Sequence, residues 1–293
     1  MSKKSVLVTG ASSGLGHAAA LMLARNGFHV FAAAREIRGV FNGQANVEEV
    51  RLDITDEASV AQALEKIAAK NTAYPLWGLI NNAGICVPSP LEMLSPQELR
   101  RQLDTNVIGQ LQVTQAMLPL LRENCGRIIN ITSGLGSIAV PYLGAYSIAQ
   151  FAKMAFTDAL RRELANSGVT VSVVQPGAIY TPIWDKFLAT GQEIMNQVSG
   201  EARQIYARSF TEFLKQSEAL ARAATTSEAD FAEVILDVLT TAQPLAQYSV
   251  GNDAQSFVDM AKSATTAELD AMFAAQMPTG TDFGSAQKIG QAS

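Results

Sequence analysis

Val6-Leu7-Val8-Thr9-Gly10-Ala11-Ser12-Ser13-Gly14-Leu15-Gly16 is the stretch on which the reading of this chain turns. Its apolar start has the character of a short strand, and the glycines that follow lead into a helical pattern near 14–26. Glycine has no Cβ, so a strand-to-helix turn built from it lets bare backbone N–H groups and a helix N-terminus receive a pyrophosphate. Alone the pattern is weak, and a tight turn without ligand explains it as well.

Outward from this turn, strand candidates at 29–31, 47–52, 77–80, 127–131 and 169–174 alternate with helical patterns at 58–70, near 95–122, and at 146–166. Parallel strands need crossover connections, and strands covered on both faces read as continuous apolar runs. The expected fold is therefore α/β, a doubly wound parallel sheet with helices on both faces, in one domain over 1–293. From about 181 to 225 the strand signal gives way to helical stretches such as 209–224, read as a helical insertion over the ligand crevice. A last strand is expected at 247–250 and further helices at 253–275, with a mobile Gly/Ser/Gln-rich tail at 278–293.

Composition excludes several classes. With 48% apolar and 17% charged residues among 293, the chain can bury a large core. Lys plus Arg at 22 against Asp plus Glu at 27 leaves a net charge of -5, the wrong sign for holding nucleic acid by its phosphates. No apolar run reaches the ~18 residues of a membrane span, and Met1-Ser2-Lys3-Lys4 shows no signal-peptide h-region. The expectation is a cytoplasmic protein without nucleic-acid or membrane partners. Cys86 and Cys125 form no CxxC pair and lie near no histidine, so no disulfide framework and no metal site is expected, and both are read as small core residues. His17 and His29 are far in sequence from any nucleophile candidate, which leaves a Ser-His-Asp hydrolase without its base.

Three further features support the dinucleotide turn. Asp53 follows the third strand, Asn81-Asn82-Ala83-Gly84 the fourth, and Pro176-Gly177 the sixth, all at C-terminal strand ends, where open α/β sheets bind ligands. With the GxxxGxG spacing of Gly10, Gly14 and Gly16, the NNAG run, and Ser133 thirteen residues before Tyr146, the chain resembles the short-chain dehydrogenase/reductase family over roughly residues 4–184. More weakly, 247–251 followed by Asp253-Ala254 is similar to the corresponding region of the retinol and hydroxysteroid dehydrogenase branch.

The resemblance implies a Rossmann-type fold in which Gly10, Ser12, Ser13, Gly14, Leu15 and Gly16 wrap the phosphates of a nicotinamide dinucleotide. Asp53 and Ile54 would hold the adenine, Asn82, Ala83 and Gly84 would line the adenine ribose side, and Pro176, Gly177, Ile179 and Thr181 would meet the nicotinamide amide. Taken by itself, Asp53 is also explained as a helix cap. NAD selection needs an acidic residue near the end of the second strand, whereas Phe31-Ala32-Ala33-Ala34 offers none and Arg35 comes next. NADP(H) is thus favoured over NAD(H), Glu36 counting against and Arg38 for, and a solvated surface charge is the plain alternative for Arg35.

In the family a serine, a tyrosine, a lysine four residues after it, and an asparagine on the neighbouring helix act together. Ser133, Tyr146 and Asn106 match, but the lysine position holds Gln150. Gln150 shares a helical face with Tyr146 and can hydrogen-bond ribose hydroxyls, yet it supplies no positive charge. A tyrosine of ordinary pKa near ~10 that lost two units of activation would slow as a base on the order of a hundredfold. Reduction suffers less, because a neutral tyrosine already carries the proton a forming alkoxide needs. Lys153, seven residues beyond Tyr146 and two turns or about 10 Å along the axis, is the one nearby candidate for replacement charge, with an ordinary solvated lysine as the plain reading.

On the substrate side Leu135, Tyr142, Leu143 and Trp184 join Ser133 and Tyr146, with Val87, Pro88, Ile138 and Phe187 nearby, in an apolar and aromatic lining that suits a hydrophobic ketone, aldehyde or secondary alcohol. The leading expectation is an NADP(H)-dependent oxidoreductase. The alternatives are a nucleotide-binding regulator or scaffold that has lost turnover, and an enzyme inactivated by Lys→Gln at 150. The resemblance further implies a homodimer or homotetramer, formed through the long helices around 99–121 and 151–164.

Overall fold

The glycine turn sits at the end of β1 (Ser5–Thr9), and α1 (Gly14–Arg25) starts directly from it, after an extended Ser13 that makes no side-chain cap. In the computed structural model, which describes residues 3–276, β1 pairs in parallel with β2 (His29–Ala34) on one side and β4 (Leu76–Asn81) on the other. β3 (Val47–Arg51) lies outside β2, while β5 (Arg127–Ile131), β6 (Thr170–Pro176) and β7 (Gln247–Val250) continue beyond β4. The order β3-β2-β1-β4-β5-β6-β7, parallel throughout, is the expected doubly wound sheet, with its switch point between β1 and β4. The tail expected at 278–293 lies outside the described residues.

Alternation along the strands divides the core. Val6, Val8, Val30, Ala32 and Ile80 face a layer made by α1 and α8 (Glu228–Thr240), where Leu23, Phe231 and Ile235 fill the interface. Leu7, Phe31, Leu79 and Ile128 face α2 (Glu57–Ala68), α4 (Gly109–Glu123) and α5 (Gly144–Glu163). Local chemistry sets the starts: Asp56 caps α2, Ser95 caps α3 (Pro96–Leu103), and Ser227 with Asp230 closes a reciprocal capping box on α8.

The segment expected as one helix at 95–122 is divided. Between α3 and α4 the residues Asp104–Ile108 form a π-helical turn, and Asn106 is buried inside it. Widening one turn re-aims a side chain that a continuous helix would leave on another face, a common device at functional sites. Cys125, expected in the core, is exposed at the α4–β5 corner, where its backbone is left-handed (φ 47). From β6 to β7 the chain forms α6 (Ile183–Gln197), α7 (Glu201–Ala223) and α8. α9 (Asn252–Ser263) and α10 (Thr266–Gln276) follow. No helix among the described residues is long and apolar enough to cross a membrane.

A buried polar chain crosses the sheet between α4 and α5. Asn81 Nδ2 donates to Thr114 Oγ1 (3.0 Å) and Asn130 Oδ1 (2.9 Å), and Asn130 Nδ2 donates to Thr157 Oγ1 (2.9 Å). Such networks fix geometry when every member is satisfied and are costly when broken. Asn130→Ala is expected to lose about 2–4 kcal/mol in urea unfolding, because it leaves Asn81 and Thr157 short of buried partners. A loss below about 0.5 kcal/mol would contradict that assignment.

Candidate active site

At the C-terminal ends of the strands a cleft of about 1200 Å³ runs from the glycine turn to the α6–α7 insertion. Its volume accommodates a dinucleotide together with a small second ligand, since ordinary ligand pockets hold ~300–1,000 Å³.

One end is built from backbone. Gly10, Ser12, Ser13, Gly14 and Leu15 line it, and the first-turn N–H groups of α1 face the cleft with no side chain capping them. Such a terminus attracts an anion. Gly14 (φ +57) needs its bare Cα, because a Cβ there would stand 3.2 Å from Thr181. Gly16 is not on the cleft wall: a Cβ on it would meet Asn82 Nδ2 at 2.4 Å and the Gly10 carbonyl oxygen at 2.6 Å, so it lets α1 close on the turn from behind.

Arg35, Asp53, Ile54, Asn82, Ala83 and Gly84, expected to meet the adenine and its ribose, are all on the wall. Asp53 is not the cap of α2. Its Oδ1 accepts from Thr55 N (2.9 Å) and Thr55 Oγ1 (2.7 Å). Burial pushes its carboxyl upward, but those two bonds, with Arg35 alongside, outweigh burial and leave it below the ordinary carboxylate range. Glu36 is tied to Arg38 at 2.7 Å, whereas Arg35 makes no ion pair among the described residues.

In the middle stand Ser133, Tyr146 and Gln150, joined on the wall by Asn106. Ser133 caps the short 3-10 turn Gly134–Gly136, its Oγ accepting from Leu135 N at 3.2 Å. Burial raises the Tyr146 phenol well above the usual tyrosine range and nearby Cys86 adds to this, while hydrogen bonding with the Ser133 and Gln150 side chains pulls it back in part. Asn106 Nδ2 donates to the Ile85 carbonyl (3.0 Å) and its Oδ1 accepts from Ile85 N (2.9 Å), so the π-turn clamps the loop after the NNAG run. Gln150 is 2% exposed and its Oε1 has no partner. A buried acceptor without a partner on a wall residue is what a ribose hydroxyl would satisfy, and with the uncapped α1 terminus it makes the wall fit a nicotinamide dinucleotide.

Pro176, Gly177, Ile179 and Thr181 line the continuation of β6. Asp253 on α9, noted in the sequence only as part of the weaker resemblance around 247–254, accepts from Ala178 N at 2.7 Å and pins that loop. Leu135, Tyr142, Leu143, Trp184 and Phe187 form the outer wall, where Trp184 Nε1 donates to the Ile179 carbonyl (3.0 Å). Tyr142 also holds the insertion down, its hydroxyl donating to Ser209 Oγ on α7 at 2.9 Å. Val87, Pro88 and Ile138 sit behind the wall in packed interior. Sequence reasoning missed Phe213 of α7 and Phe257 of α9, which also face the cleft.

Lys153 departs most from expectation. Instead of being solvated it is 2% exposed, lies on the cleft wall, and donates from Nζ to the Ile131 carbonyl. The histidines stay away from the cleft: His17 stacks on Phe41, and His29 on Tyr74 near Glu48.

Comparison with known proteins agrees with this geometry. Residues 4–191 match the short chain dehydrogenase family model. The chain is 62% identical over 283 residues to 3-amino-tetrahydro-pyrrolizinone reductase of Xenorhabdus hominickii, covering 97% of this chain and 99% of that one. It is 35% identical over 265 residues to human 17-beta-hydroxysteroid dehydrogenase type 6, covering 87% and 82%. A short chain dehydrogenase from Burkholderia cenocepacia solved in complex with NADP superposes with a TM-score of 0.70 at 26% identity, covering 93% and 98%. With the family model matched from β1 into α6 and a 62% identical relative covered almost end to end, the chain belongs to the short chain dehydrogenase family of oxidoreductases.

Proposed function

We propose that this protein is an NADP(H)-dependent reductase of a compact, largely apolar ketone or aldehyde. The observation that carries the reading is the grouping of Tyr146 and Ser133 in one cleft with an uncapped helix N-terminus and a glycine turn. The glycine turn and Gln150 would hold a reduced nicotinamide dinucleotide, which when bound would supply hydride to the carbonyl carbon. Tyr146 Oη gives its proton to the carbonyl oxygen, Ser133 donates a hydrogen bond to the same oxygen, and solvent reprotonates the phenolate after the alcohol leaves. Burial keeps the phenol protonated at neutral pH, which favours reduction over alcohol oxidation.

The name of the Xenorhabdus relative suggests the substrate class, a small nitrogen-containing bicyclic compound of the 3-amino-tetrahydro-pyrrolizinone type. The aromatic outer wall of Tyr142, Trp184 and Phe187 suits such a ring. Arg35, which lies near Asp53 but forms no ion pair among the described residues, supports a 2′-phosphate and hence NADP(H) over NAD(H). Ile108 and Leu111 near the start of α4, with Ile148 and Phe151 on α5, are exposed apolar side chains that support a homodimer or homotetramer.

NADPH and NADH titrations followed by a panel of cyclic ketones check the reading. NADPH is expected to bind at least tenfold tighter than NADH, Arg35→Leu to remove that preference, and Tyr146→Phe to lower turnover by more than a hundredfold with NADPH binding retained. Tight NADPH binding with no turnover of any ketone would instead favour a nucleotide-binding regulator. Sedimentation is expected to show a dimer or tetramer that Phe151→Glu dissociates, and a monomeric wild type would remove the oligomer proposal.

A further inference from the structure

The inference concerns Lys153 and rests on the reductase reading. Tyr146, Gln150 and Lys153 are spaced i, i+4, i+7 on α5, so one face of the helix presents all three to the cleft. Lys153 is as buried as Gln150, at 2% exposure for each, and no carboxylate neutralises it among the described residues. An ammonium group has three donors. The Ile131 carbonyl at the end of β5, two residues before Ser133, takes one of them.

A buried cation without a counter-charge is expensive, and burial pushes the Lys153 pKa down to about 7. Capping one strand-end carbonyl does not need a charge, since an amide would do as well. The expense is explained if a ligand completes the site. A dinucleotide brings both what the remaining donors lack, ribose hydroxyls, and what the ammonium lacks, negative phosphates that favour its charged form.

We propose that Lys153 and Gln150 together hold the nicotinamide ribose, with Lys153 supplying from one turn further along α5 the positive charge that Gln150 does not. Gln150 accepts from a ribose hydroxyl through its orphaned Oε1, and Lys153 donates to the ribose from below. The amide and the ammonium thus divide between two residues the binding and the charge that a single lysine at position 150 would combine. Helical side chains lean toward the helix N-terminus, so the Lys153 stem points back toward Gln150 and Tyr146.

Lys153→Met separates this role from a structural one. Removing a buried, unneutralised cation should leave thermal stability unchanged or raised. NADPH affinity, read by fluorescence titration, is expected to fall at least tenfold, and ketone turnover at least a hundredfold. The double variant Gln150→Lys with Lys153→Met returns the charge to the earlier turn and is expected to regain most of both. If the methionine variant is unstable, Lys153→Gln keeps a donor for the Ile131 carbonyl and is judged by the same readings. NADPH affinity within twofold of wild type in a folded variant overturns the proposal and leaves the reductase reading in place. A wild-type protein that fails to bind NADPH overturns the reductase reading first and this inference with it.

Discussion

Seven parallel strands end at one edge of a sheet, and their last carbonyls and the first N–H groups of the helices that follow must find partners there. The protein meets that demand in different ways along the edge. Thr9 Oγ1 accepts from the backbone of Asn82 and Ala83, Asn106 takes both backbone groups of Ile85, and Lys153 takes the carbonyl of Ile131. Among the groups around the cleft, the N-terminus of α1 has no side-chain cap and Gln150 Oε1 has no partner, and the chemistry proposed for the cleft follows from them.

The polar chain from Thr114 through Asn81 and Asn130 to Thr157 connects this edge to the helices beneath it. Thr157 Oγ1 donates in turn to the Lys153 carbonyl at 2.7 Å, so the network ends one helical turn below the buried ammonium. α5 is thereby set in depth and rotation against β5, and the Tyr146–Gln150–Lys153 face cannot turn away from the cleft without breaking buried hydrogen bonds. On the opposite wall the insertion is held by Tyr142 to Ser209 and by aromatic packing around Phe210 and Phe213, a smaller apolar cluster than those flanking the sheet. On the proposed function, that wall is the one suited to selecting the substrate.

How much was legible in the sequence follows from what each feature depends on. The strand pattern is legible because strands covered on both faces read as near-continuous apolar runs, as in 30–33 and 76–80. The glycine turn, Asn82, Ser133 and Tyr146 are legible because their spacing is local and their places at strand ends follow from the sheet. The π-turn around Asn106 was not, since only the eight residues of α3 precede it, too few for the shift it makes in the hydrophobic period of 95–122 to show. Lys153 was misread for a similar reason: lysine is almost always solvated, and only the packing of α5 on β5 shows that this one is enclosed. Asp253 reaches Ala178 across 75 residues of chain, a pairing no local pattern could announce.

The central claim is that this cleft carries hydride from a nicotinamide to a carbonyl despite the glutamine at position 150. Incubation with NADPH deuterated at the reactive C4 position and a cyclic ketone, followed by mass spectrometry of the product, tests it most directly. The account predicts an alcohol with one deuterium on the carbinol carbon and a single configuration there. Recovery of unlabelled ketone in the presence of saturating, bound NADPH would contradict it and mark the cleft as a nucleotide sensor.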